Sequence, residues 1–186
     1  MNNKKYLVVS DIHGALSGAS CIPEAFAKHH ADAILCLGDI LYHGPRNDVP
    51  PDYAPKKVIE IMNALSSDII CVRGNCEAEV DQMVLDMPCM SESNSLFLGQ
   101  RRIFMTHGHI YSPAHLPPLH RQDIFLSGHT HIPTAYQKDG IFLFNPGSIS
   151  LPKGGHSATY AVLDEKAFTI YTRDHREYMS CDLNGE

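Results

Sequence analysis

Seven side chains able to bind a metal ion stand shortly after five short apolar runs. Asp11 and His13 follow Tyr6-Leu-Val-Val-Ser10, Asp39 follows Ala33-Ile-Leu-Cys-Leu37, and Asn75 follows Ile69-Ile-Cys-Val72. His107 follows Ile103-Phe-Met-Thr106, and His129 and His131 follow Ile124-Phe-Leu-Ser127. A set of carboxylate, carboxamide and imidazole without thiolate suits Mn²⁺, Fe, Zn²⁺, Co²⁺ or Ni²⁺ better than it suits a structural zinc. Seven donors exceed the needs of one ion and match two, if Asp39 bridges them. Paired ions roughly 3.5–4 Å apart can clamp both the attacking and the leaving oxygen of a displacement. Two divalent cations offset by Asp11, Asp39 and a bridging hydroxide leave about +1, which favours an anionic substrate, and phosphate esters fit.

The apolar runs read as buried strands, and open α/β sheets bind ligands beyond the carboxyl ends of their strands. Between strands 6–10 and 33–37, the segment Ser17 to His30 places Cys21, Ile22, Ala25 and Phe26 at helical spacing, with Pro23 expected in its first turn. A Gly/Pro-rich loop from Gly38 to Pro55 precedes a second helical stripe in Lys56 to Leu65: Val58, Ile59, Ile61, Met62 and Leu65. The acidic piece Glu77 to Leu85 is expected to be a third helix. Hairpins are expected around Gly99-Gln100, Lys138-Asp-Gly140 and Asp164-Glu-Lys166. A βαβαβ half followed by hairpins predicts two packed sheets with helices outside them. No linker divides the chain, so residues 1–186 read as a single α/β domain, large enough to bury roughly 70% of its unfolded surface.

A formal charge of −6 argues against capture of long nucleic acids, which needs a basic face. The six cysteines form no C-x-x-C pair, and Cys36 and Cys71 fall inside predicted core strands, so a reducing cytoplasm is the expected location. The apolar stretch after Lys4-Lys5 is too short for a signal peptide, and no segment approaches the ~20 apolar residues of a membrane span. A homo-oligomeric state is left open.

Asp11-Ile-His13, Gly38-Asp39, Gly74-Asn75-Cys76-Glu77, His107 and Gly128-His-Thr-His131 stand in the order typical of calcineurin-like binuclear metallophosphoesterases, which the chain resembles from residue 6 to about 163. His43-Gly-Pro-Arg-Asn47, Thr106-His-Gly-His109, Asn145-Pro-Gly-Ser148 and Pro152-Lys-Gly-Gly155 resemble the small bacterial YfcE-type phosphodiesterases. The resemblance implies a four-layer αββα sandwich, two mixed β-sheets flanked by helices. It also implies that Asp11, His13 and His131 hold one ion and Asn75, His107 and His129 the other, with Asp39 bridging and Mn²⁺ as the usual activator. The expected activity is hydrolysis of small phosphodiesters by a hydroxide bridging two divalent ions. Phosphomonoester or phosphoprotein hydrolysis at the same site is the alternative. A protein-binding scaffold like the retromer subunit of this fold is the rival of a different class.

Cys76 stands where most of the superfamily has His. An unperturbed thiol titrates near ~8.5 and imidazole near ~6.5. Nearby cations favour a thiolate, which cannot donate a proton, so either good leaving groups are preferred or Cys76 only fills space. Arg46 can reach a substrate phosphate or stabilise its loop, and His109 can support a ligand or face solvent. Arg73 is expected as an ion-pair partner, and His29, His30, His115, His120, His156 and His175 as surface residues. Gly38, Gly74, Gly128 and Gly147 are expected at sharp turns around the cleft.

Overall fold

The computed structural model describes residues 4–184. Strand β1 (Lys5–Val9) runs parallel to β2 (Ala33–Cys36), which runs parallel to β3 (Ile69–Cys71). Helix α1 (Leu16–His29) links the first two strands and α2 (Pro55–Ala64) the next two, and the two helices pack on each other. The short α3 (Glu79–Val84) leads to the β4 (Ser93–Leu98) and β5 (Arg101–Thr106) hairpin. Then come β6 (Ile124–Leu126), β7 (Thr134–Lys138), β8 (Ile141–Asn145), β9 (Thr159–Asp164), β10 (Ala167–Thr172) and β11 (Glu177–Asp182).

The strands form two mixed sheets, β11-β10-β9-β1-β2-β3 and β4-β5-β6-β8-β7. The third expected hairpin, β9–β10, returns to the first sheet and pairs with β1, so the halves of the sequence do not correspond to the two sheets. The edge strand β11 had no counterpart among the expected elements, because Glu177, Tyr178 and Ser180 are exposed and leave no apolar run.

Both faces of β1 and β2 are buried, which is why these strands read as unbroken apolar runs. Leu7, Val9, Ile34 and Cys36 face Ile22, Ala25, Val58 and Met62 under the helices. Tyr6, Val8, Leu35 and Leu37 face Ile103, Met105, Ile124, Leu126, Phe142 and Phe144 of the second sheet. Beyond that sheet, Phe104 and Phe125 stack at 6.3 Å, and Tyr111 from the irregular connection after β5 meets Phe104 edge-on at 5.4 Å. That connection supplies the cover on this side, and among the described residues it contains no helix.

Two local expectations are corrected. Helix α1 starts at Leu16, so Pro23 lies in its interior and not in the first turn. It is tolerated on the exposed side, with no backbone N–H to give to the preceding turn. In the second hairpin Lys138 pairs with Ile141, leaving a two-residue turn, Asp139-Gly140, with φ of 53° and 82°.

Candidate metal centre

The loops that follow β1, β2, β3, β5 and β6 meet at one edge of the sandwich, and they bring the predicted donors together from both sheets. The first two loops are laced to each other: Asp11 N donates to Gly38 O at 3.1 Å and His13 N to Asp39 O at 2.9 Å. Of nine described non-glycine residues with positive φ, five are predicted ligands: Asp11, His13, Asp39, His129 and His131. Left-handed backbone costs an ordinary residue of order 1–3 kcal/mol and persists only where the surroundings dictate it. Here it turns each side chain back over the strand end.

Three imidazoles are oriented by backbone carbonyls. Nδ1 of His13 donates to Tyr42 O (2.8 Å), that of His107 to Leu37 O (2.7 Å) and that of His131 to Leu151 O (2.5 Å). A carbonyl only accepts, so each neutral ring carries its proton on Nδ1 and points the Nε2 lone pair inward. His13 and His131 thus set two acceptors 3.3 Å apart, and His131 Nε2 lies 3.3 Å from Asp11 Oδ1. On the other side His107 Nε2 is 3.1 Å from Asn75 Oδ1 and 3.2 Å from His129 Nδ1. Asp39 Oδ2 lies between the groups, 3.6 Å from His13 Nε2 and 3.4 Å from His107 Nε2.

The carboxylates are half satisfied from outside. Asp11 Oδ2 accepts from Ser10 Oγ (2.6 Å) and His129 N (3.0 Å), whereas Oδ1 is buried with no hydrogen-bond partner. Asp39 Oδ1 accepts from Cys76 N at 2.9 Å, freeing Oδ2 for the centre. Lone pairs this close need a cation among them. Burial lowers the His107 pKa, but contact with Asp39 and the charge of Asp11 outweigh it and raise it to about 9. Burial likewise raises the Asp11 carboxyl, but His13 and His131 overcome it and hold it well below the usual carboxylate range. His129 is pushed down to about 4 by burial and by His107. A bound metal cation would supply the missing positive charge without a proton on His107.

Several supporting residues escaped the sequence reading. Glu77, nearly fully buried, accepts from Asp39 N (2.9 Å), Ile40 N (2.7 Å) and Gly74 N (2.5 Å), locking the β2 and β3 loops together. Burial and the charge of Asp39 raise its carboxyl to about 7, against the pull of those three amides. Asn145 Nδ2 donates to Gly128 O (2.7 Å) and Thr130 Oγ1 (3.1 Å), and Ser148 Oγ to Asp11 O (2.7 Å). Only their membership of short sequence blocks pointed to them. Gly74 and Gly128 are required by close approach: a Cβ would strike the Asp39 carboxylate at the first and Ser10 Oγ at the second.

A cleft over the centre is lined by Asp39, Gly44, Arg46, Asn47, Asn75, Cys76, His129, His131 and Lys153. Arg46 is exposed there, which suits either a substrate contact or a surface residue. Cys76 is half-buried, and its sulfur accepts from Asn75 Nδ2 at 3.2 Å. Its donor atom comes within 4.8 Å of those of His13 and Asp39, so a thiol borders a donor set read as free of sulfur. Burial and the Asp39 carboxylate raise its pKa, so without cations it is a neutral thiol. His109 is exposed, with its ring 5.4 Å from that of His107.

Other expectations are corrected. Arg73 donates to the Glu77 carbonyl oxygen at 3.3 and 3.1 Å and pairs with no carboxylate among the described residues. His29 and His175 are half-buried and not free surface residues: the Tyr160 hydroxyl sits between them, 2.9 Å from His29 Nε2 and 2.7 Å from His175 Nδ1. His175 also meets Glu24 at 3.2 Å.

The sequence matches the calcineurin-like phosphoesterase superfamily domain over residues 5–167. The chain belongs to this superfamily. Within it, the chain is 46% identical over 166 residues to phosphodiesterase YfcE of Escherichia coli strain K12, covering 89% of this chain and 90% of that protein. The structure of the E. coli phosphoesterase Yfce superposes with a TM-score of 0.94 at 43% identity, covering 97% of this chain and all (100%) of the other. Vacuolar Protein Sorting 29 of Cryptosporidium parvum covers 97% of both chains with a TM-score of 0.66 at 18% identity, a likeness of fold alone. The two mixed sheets are thus those of the metallophosphoesterase fold.

Proposed function

We propose that this chain, read as one domain over residues 1–186, hydrolyses small phosphodiesters at a centre of two divalent cations. The observation that carries the metal centre is Asp11 Oδ1, a buried carboxylate oxygen without a hydrogen-bond donor that faces inward-pointing imidazole lone pairs. The donor distances favour Asp11, His13 and His131 for one ion and Asn75, His107 and His129 for the other, with Asp39 Oδ2 shared. The mixed oxygen and imidazole donors suit Mn²⁺, Zn²⁺, Fe, Co²⁺ or Ni²⁺, and Mn²⁺ is put first because the resemblance to YfcE-type phosphodiesterases implies it. Once bound, the ions supply Lewis acidity and activate a water as nucleophile near neutral pH.

The protein's own groups do the rest. Asp39 and Glu77 hold the strand ends in register, Arg46 offers two parallel donors to a substrate phosphate oxygen, and Cys76 faces the departing group. Manganese-loaded protein is expected to carry two ions per chain by elemental analysis. A single ion, with no weaker second site on titration, contradicts the shared role of Asp39.

The diester reading rests on the relative at 46% identity and on position 76, which has no imidazole to assist a poor leaving group. Matched aryl phosphates, one diester and one monoester, compared at equal Mn²⁺ concentration, should give the larger kcat/KM for the diester. The reverse order would assign a phosphomonoesterase to the same centre. The complete donor set favours an enzyme over the scaffold role. No described helix is long and apolar enough to cross a membrane, and all six cysteines are free, which suits a reducing compartment such as the cytoplasm.

A further inference from the structure

Two exposed cations from different loops line the cleft. Arg46 comes from the loop between β2 and α2, and Lys153 from the loop after β8. Neither side chain has a hydrogen bond or ion pair among the described residues, although the chain has 21 acidic residues and a formal charge of −6. The only acid among the lining residues is Asp39, whose free oxygen faces the donors below.

Lys153 is rooted where it stands. Its backbone N–H donates to His131 O at 3.3 Å, its carbonyl accepts from His156 N at 3.2 Å, and two residues before it Leu151 O holds the His131 ring. Gly154 and Gly155 continue the turn with φ of 65° and 78°. Arg46 sits in a turn closed by Asn47 N to Gly44 O at 3.3 Å and by Asn47 Nδ2 to His43 O at 2.8 Å. Its charge is felt by His129, whose pKa it helps to lower after burial and His107. Two divalent ions offset by Asp11, Asp39 and a hydroxide would leave about +1, and Arg46 and Lys153 add two further positive charges, which a simple diester monoanion leaves partly unanswered.

We propose that Lys153 is a specificity-determining residue: sharing the cleft with Arg46, it selects phosphodiesters whose non-leaving arm carries a second anionic group, a carboxylate or a phosphate. The inference rests on the phosphodiesterase reading and extends it to the class of substrate. Arg46 takes the reacting phosphate, and Lys153 reads the arm that stays.

The test uses manganese-loaded protein and two diesters with the same leaving group, phenyl 4-nitrophenyl phosphate and 4-carboxyphenyl 4-nitrophenyl phosphate. The wild type should favour the carboxylated ester in kcat/KM, with the difference in KM and not in kcat, and the preference should fade with added NaCl. Lys153→Gln should reduce the preference about fivefold, the size of one exposed charge pair. Lys153→Arg should retain it, and Lys153→Glu should turn it toward an arm bearing trimethylammonium. An unchanged preference in Lys153→Gln overturns the proposal. Equal losses on both diesters also overturn it, by placing Lys153 on the phosphate they share. Failure of the wild type to hydrolyse either diester removes the phosphodiesterase reading itself, an outcome distinct from an active enzyme indifferent to the arm.

Discussion

Asp39→Asn is expected to lower kcat/KM by at least roughly 10²-fold at saturating Mn²⁺, the scale of a lost metal or preorganised charge in phosphate-transfer sites. The reason is the double engagement of one carboxylate. Oδ2 lies 3.6 Å from His13 Nε2 and 3.4 Å from His107 Nε2, between the two groups of donors, closer to His107 than the 4.0 Å at which Asp11 Oδ1 stands. Oδ1 accepts the Cys76 N–H at 2.9 Å, so the side chain has one orientation open to it. An amide of the same shape either presents its oxygen inward and loses the charge, or turns its NH₂ toward the centre and repels cations. Elemental analysis should therefore show depleted metal alongside the slow turnover. Near wild-type turnover with both ions retained would mean that Asp39 is not shared.

Cys76→His should speed hydrolysis of alkyl diesters by about 10²-fold while changing aryl diesters little, because general acid catalysis contributes ~10²–10⁴-fold only where the leaving group needs a proton. The half-buried side chain borders the cleft beside Gly44, which has no Cβ to obstruct a larger ring. Burial and the Asp39 carboxylate hold the thiol above its ordinary pKa, and bound cations act in the opposite direction toward thiolate. Either form is a poor proton donor near neutral pH compared with an imidazolium. The wild type should accordingly slow steeply as the leaving alcohol becomes more basic, and a plot of log kcat/KM against leaving-group pKa measures this directly. Equal effects of Cys76→His on aryl and alkyl esters would reduce Cys76 to a residue that fills space.

The strands and the candidate donors were legible in the sequence for one physical reason. A parallel strand buried on both faces must be apolar at every position, so its end is marked by the first polar residue able to do chemistry. That rule placed Asp11, Asp39, Asn75, His107 and His129 without any knowledge of which strand lies beside which. The two-residue turn at Gly99-Gln100 and the amphipathic stripe of α2 were equally local. Grouping the donors was not local. His13 and His131 lie 118 positions apart, and only the packing of one sheet on the other brings their Nε2 atoms to 3.3 Å.

The same limit explains what was missed. Glu77 reads as one more acid in an acidic stretch until burial against Asp39, Ile40 and Gly74 makes it the clasp between two loops. His29 and His175 look like surface histidines until Tyr160, from a distant strand, arrives between them. Strand β11, exposed along much of its length, exists because β10 offers an unpaired edge, which no periodicity of its own records. By itself the sequence determined which residues could bind metal and where each strand hands them over, because those properties depend on neighbours along the chain. The tertiary structure alone decided which candidate donors come together, which groups brace them and which cleft cations stay unpaired among the described residues, because those depend on neighbours in space.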